Sequence, residues 1–287
     1  MQLGVVFPHT EIGSDVGAVR AFAQGVEGLG FRHLLVYDHV VGADPEVHKP
    51  WTGPYDVKTT FHEPMVLFGF LAAATTLELA TAVLIAPQRQ TALIAKQATE
   101  VDLLTEGRFR LGVAVGWNEV EYDALGMNFS NRGKRLDEQV VLLRKLWTEQ
   151  SVSFSGDYEH VSGAGLSPLP IQRPIPIWFG AHSAPAFRRA GRLGDGWFPE
   201  MEPGPELEAA LAIVESAAIG AGRDPSEILM EGRMKWRPEL SDNVAVVESW
   251  SAAGASHLAI NTMSAGFESV EDHLHALGQI SSELDLC

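Results

Sequence analysis

The chain is nearly free of cysteine: one in 287 residues, Cys287, at the last position. That excludes an intrachain disulfide and a cysteine-ligated metal site, and Cys287 reads as a plain tail residue. Basic side chains are also scarce, 21 against 37 acidic ones, for a formal net charge of −16. A surface this acidic repels nucleic acid and anionic membrane, so neither is expected as a partner. An anionic ligand then needs a local device, such as a helix N-terminus, to hold it against the overall field. No apolar run approaches the ~18 residues of a membrane span; the most apolar, Leu67 to Ala74, stops at Thr75-Thr76. The N-terminus has no basic stretch followed by a long apolar run, so no signal peptide is read there and the chain is expected to be soluble and cytoplasmic. The phosphate-loop, zinc-helix and serine-elbow motifs are missing. His62-Glu63 runs straight into Pro64, and His273 and His275 are two apart, the wrong spacing for one helix face. No metal site is expected.

What is present is alternation. Short apolar, β-branched runs predict strands over 3–7, 33–37, 78–86, 109–115, 175–179, 196–198, 228–236 and 257–261. Between them lie stretches with the three-and-four spacing of amphipathic helices. In the helix predicted over 90–104, the inner face is assigned to Leu93, Ile94, Gln97, Val101 and Leu104. Eight such units are the count for a closed (β/α)8 TIM barrel, here one domain over 1–287. The runner-up is a doubly wound open sheet, which would usually carry a glycine-rich turn after the first strand; Phe7-Pro8-His9-Thr10-Glu11 has none. Residues 152–161 read as a β-hairpin inserted before strand five. The connection over 40–61, rich in Pro and aromatics, has no periodicity and is long for a compact domain. It is read as a lid or binding loop, with Trp51 and Tyr55 as a substrate-facing wall.

In a barrel, sites collect where strands end at the carboxyl mouth. Phe109 to Val115 ends at Gly116, and Asn118-Glu119 opens a helix. At that corner Trp117 is either a stacking wall for a planar ring or a core aromatic under a loop. His39, directly after Asp38, is either a proton-exchanging group or a turn histidine bonded to backbone. Gly180-Ala181-His182-Ser183 precedes a helix, where Ser183 is a plain N-cap or part of a phosphate cradle. Arg233 and Lys235 alternate along strand seven and so share a face, inward or outward.

These corners, with Leu111-Gly112-Val113-Ala114-Val115-Gly116-Trp117-Asn118-Glu119, Pro174-Ile175-Pro176-Ile177-Trp178-Phe179-Gly180 and Ala190-Gly191-Arg192-Leu193-Gly194-Asp195-Gly196-Trp197, resemble the bacterial luciferase-like monooxygenase family. Within it, the chain is most similar to the branch of oxidoreductases that use coenzyme F420. The resemblance implies hydride transfer between a small organic substrate and F420 in the barrel mouth. The same likeness leaves open an FMN-dependent two-component monooxygenase fed by a separate flavin reductase, or a flavin- or deazaflavin-binding protein without turnover. It implies that His39 sits near the reactive edge of the ring as the catalytic residue. It further implies that Ala82 and Val83 form a bulge, often with a non-proline cis peptide, behind the ring. Val115, Gly116 and Trp117 would contact the cofactor, Gly180, Ala181, His182 and Ser183 would hold its phosphate region, and a homodimer is expected. Some deazaflavin dehydrogenases carry a glutamate acid just after the strand-four glycine. Here Trp117 stands in that place and Glu119 lies two further on, so this corner is read as shaping the pocket. Pro199-Glu200 is acidic where those relatives hold a substrate phosphate, which points away from a phosphorylated sugar.

Overall fold

The structure, a computed structural model, describes residues 1–286; Cys287 lies outside the described residues. Among the described residues eleven strands form: β1 Gln2–Val6, β2 His33–Val36, β3 Glu78–Thr81, β4 Leu84–Ile85, β5 Phe109–Ala114, β6 Val152–Ser155, β7 His160–Ala164, β8 Ile177–Ala181, β9 Gly196–Pro199, β10 Leu229–Lys235 and β11 His257–Asn261. Eight positions close into a parallel barrel. The ring runs β3-β2-β1-β11-β10-β9-β8-β5, and β3 pairs back onto β5. That closing pair rules out the open doubly wound sheet. β6 and β7 stand outside the ring as an antiparallel pair. Among the described residues, no helix is long and apolar enough to cross a membrane.

The predicted third strand is split. A cis peptide between Ala82 and Val83 separates β3 from β4, and β4 continues beside β5 through Leu84 and Ile85. Gly112 lets this happen. Thr81 Oγ1 donates to the Gly112 carbonyl at 2.7 Å, and a Cβ on residue 112 would fall 1.9 Å from the Thr81 carbonyl oxygen.

Side chains alternate along the strands. One parity (Val5, Leu34, Leu79, Val113, Ile177, Leu258) joins the layer between barrel and helices. The other (Val6, Leu35, Ala80, Trp178, Phe198, Ala259) fills the barrel. The helix Thr91–Leu104 corrects one expectation. Leu93 and Leu104 are half exposed, whereas Ile94, Ala95, Ala98 and Val101 are buried. Both leucines sit roughly 80–100° around the helix from Ile94, so apolar character misassigned them to the inner face.

The barrel floor is ionic. His33, Glu78, Arg110, Glu231 and His257 are of the inward parity near the amino ends of their strands. Arg110 Nη1 donates to Glu231 Oε2 at 2.7 Å, and its Nε bonds Glu78. His33 Nε2 meets Glu231 Oε1 at 2.6 Å, and the Arg110 guanidinium lies 4.4 Å from the Trp178 ring centroid. Burial would raise the Glu231 carboxyl, but His33 and Arg110 hold it down to about 2.

Two buried imidazoles, His9 and His257, make the fold sensitive to acid. Burial first, then His62 and His39, pushes His9 down to about 3; the backbone N–H groups of Tyr37 and His62 point at its two nitrogens, both at 3.1 Å. Burial, then Arg110, pushes His257 down to about 4. Both folded values lie below the ordinary 6.5, so the unfolded chain binds protons first. Their contribution is complete above about pH 6.5 and is lost as pH falls toward 4 and 3. Urea midpoints at stepped pH should fall steadily from pH 6.5 downward. A midpoint flat from pH 7 to pH 4 would rule out this origin of acid sensitivity.

Candidate active site

A cavity of about 630 Å³ opens at the carboxyl ends of the strands. His39, Ala82, Val83, Val115, Gly116, Trp117, Gly180, His182 and Ser183 all line it. Ala181 does not: its side chain is fully buried in the layer between barrel and helices, because it has the opposite strand parity to Gly180. Ser183 occupies the N-cap position of the helix Ala184–Leu193 but makes no side-chain capping bond. Gly116 has φ +67°, and a Cβ there would lie 2.8 Å from Ile85 Cγ2. Glycine therefore keeps the backbone of this corner at the cavity wall.

The end of β2 is held rigidly. Arg89 grips Asp38 with two bonds, Nη1 to Oδ2 at 2.7 Å and Nη2 to Oδ1 at 2.8 Å. Asp38 Oδ2 also accepts from the Ile85 N–H at 3.0 Å, tying β2 to β4 just past the cis peptide. His39 then projects among aromatics, with ring centroids 4.7 Å from Phe61, 5.1 Å from Tyr55 and 5.8 Å from Trp117. The long connection thus reaches the site. Tyr55 lines the cavity, and its phenol is raised by burial first and then by Tyr37. Trp51 is not on the cavity wall; it packs behind Trp117, centroids 5.8 Å apart.

Three charged groups in the cavity escaped the sequence reading. Glu121, from the helix Glu119–Ala124, sits behind His39 with Oε2 3.4 Å from Nδ1. Burial would raise its carboxyl, but hydrogen bonds from His39 and the Val40 amide hold it below the ordinary range. Arg132 and Arg189 line the cavity together with Ser183. Arg189 bonds Asp137 and the Gly133 carbonyl. Arg132 donates to the Phe129 carbonyl at 2.9 Å, while its buried Nε has no partner among the described residues. The spacing Asn118-x-x-Glu121 was the available signal for Glu121: it marks a helix start and puts the carboxylate in the first turn. Of the strand-seven pair, Arg233 lines the cavity, bonded to Glu200 at 2.5 Å and leaning over the Tyr37 ring. Lys235 is exposed at the rim.

Fold and site together define an α/β barrel whose carboxyl mouth holds a large, mostly apolar cavity with a histidine–carboxylate pair on one wall and arginines on another. The chain belongs to the luciferase-like monooxygenase family, whose model matches residues 1–261. It is 32% identical over 230 residues to the F420-dependent glucose-6-phosphate dehydrogenase of Segniliparus rotundus, covering 76% of this chain and 64% of that one. Two solved structures share the fold. Coenzyme F420-dependent tetrahydromethanopterin reductase from Methanopyrus kandleri superimposes with a TM-score of 0.75 at 13% identity, covering 98% and 97% of the two chains. EDTA monooxygenase from Chelativorans sp. BNC1 does so with a TM-score of 0.78 at 13% identity, covering 100% and 94%.

Proposed function

We propose that this protein is an oxidoreductase that moves a hydride between a small organic substrate and coenzyme F420. The observation that carries the reading is the convergence of His39, the Ala82–Val83 wall, Gly116 and the Ser183–Arg132–Arg189 end on one cavity. The residues suit the cofactor. The volume admits a fused planar ring, Gly116 and Gly180 leave backbone open at the wall, and the unpartnered Nε of Arg132 offers a donor to a phosphate. Arg132, Arg189 and Ser183 would hold that phosphate, and Ala82, Val83, Val115 and Trp117 would border the ring. When bound, the deazaflavin supplies a carbon that accepts or gives a hydride. The chain's part is to orient the substrate against it, exclude water beneath Tyr55 and the 40–61 connection, and exchange the substrate proton at His39. On that wall Arg233 is neutralised by Glu200, which favours an uncharged substrate over a phosphorylated sugar.

The choice of F420 over FMN follows the F420-dependent relative at 32% identity. Binding of the purified protein to oxidised and reduced F420 and to FMN, side by side, tests it. Micromolar affinity is expected for F420, with FMN weaker. A micromolar preference for FMN would instead make the protein the flavin-using half of a two-component monooxygenase.

A further inference from the structure

His39 and Glu121 come from different corners of the barrel, after β2 and after β5, and their contact is specific. The Glu121 side chain is 1% exposed and that of His39 is 14% exposed. Its other hydrogen-bond partners among the described residues are all donors. The Val40 N–H bonds Oε1, the Val41 N–H approaches the same oxygen at 3.3 Å, and Gln88 Nε2 donates to Oε2 at 3.2 Å. An ionised carboxylate accepts only, so a hydrogen bond across the 3.4 Å between Nδ1 and Oε2 needs the proton on Nδ1. His39 itself lines the cavity, so the ring nitrogen not facing Glu121 is the one left for a ligand there. In a neutral imidazole, the hydrogen bond made by one nitrogen decides the state of the other.

We propose that Glu121 is a positioning residue that keeps the proton of His39 on Nδ1, so that Nε2 is presented to the substrate as an acceptor. The role rests on the oxidoreductase reading above. When the substrate is oxidised, its hydride leaves for the cofactor ring and its proton goes to Nε2. The carboxylate beside Nδ1 then offsets the positive charge on the imidazolium, and in the reverse direction the same nitrogen returns the proton. Gln88 is built to serve this arrangement: its Oε1 is buried without a partner among the described residues, while its amide nitrogen is committed to Glu121.

The test is Glu121→Gln, which keeps the side-chain length and an acceptor for the Val40 and Val41 amides. Its NH2 turns a donor toward Nδ1, and Gln88 can flip its amide to offer the unpaired oxygen. Imidazole ¹⁵N NMR of the cofactor-free protein, with the His39 signal assigned by its loss in His39→Ala, reads the tautomer directly. Wild type should show protonated Nδ1 and bare Nε2, and the variant should show the reverse. With F420 and a panel of small secondary alcohols, kcat should fall about 10²-fold, the lower end of what a positioned proton acceptor supplies, with KM and the thermal midpoint little changed. A wild-type ring protonated on Nε2 overturns the proposal, whatever the cofactor and whether or not the variant folds. A tautomer that swaps as expected in a protein that turns over nothing upholds the His39–Glu121 device and sinks the oxidoreductase reading instead.

Discussion

Glu231→Gln is expected to lower the unfolding free energy by about 3–5 kcal/mol, the cost of removing one partner from a buried ion pair. Glu231 is wholly buried and takes both His33 and Arg110. The amide keeps the volume but removes the charge that faces Arg110, whose own side chain is 7% exposed. Arg110 would then depend on Glu78, which sits at the edge of the floor and is 26% exposed. Its Nη2 already lacks a partner among the described residues. Arg110→Met in the Glu231→Gln background removes the stranded charge and leaves an apolar chain against Trp178, so the double variant should lose less than the two single losses combined. Urea midpoints under reversible conditions measure the cycle. A Glu231→Gln loss below about 1 kcal/mol, the scale of an exposed pair, would mean that water reaches the floor and screens it.

His39→Ala should cut turnover by about 10²–10⁴-fold, the range for a positioned acid–base group, while F420 affinity changes little. The division follows from the geometry. His39 sits among Tyr55, Phe61 and Trp117 with Glu121 behind it, whereas the groups assigned to the cofactor phosphate are Ser183, Arg132 and Arg189. Losing the imidazole therefore removes proton exchange and leaves the anchor. The cavity it vacates opens toward Glu121, whose carboxylate keeps the Val40 and Val41 amides and Gln88, so the fold should hold. Turnover of the secondary-alcohol panel, followed by the deazaflavin absorbance, together with a cofactor titration, reads the two effects apart. If affinity and turnover both stay intact, His39 is not the catalytic group; if affinity alone collapses, its role is to hold the ring.

The same contrast separates what was legible in the sequence from what was not. The barrel was readable because each strand-turn-helix unit announces itself locally, by β-branched runs, by Pro8 as a stop after the first strand and by Gly116 at a corner. The strand predicted over 257–261 matches β11 residue for residue. Strand order at the mouth then placed His39, Gly116 and Ser183 together, since all eight carboxyl ends must share one rim. Period-two alternation also says that Ala181 and Gly180 cannot both face the cavity, and Ala181 is the one turned outward. By itself, then, the sequence determined the fold class and which corners meet. Only the tertiary structure decided which charges meet: Arg110 with Glu231, Arg233 with Glu200, and His39 with Glu121. Alternation tells a side chain which face it takes, but its partner across the barrel depends on the stagger of strands around the ring. That stagger is set by the closure of β3 onto β5, a contact between distant parts of the chain that no local pattern encodes.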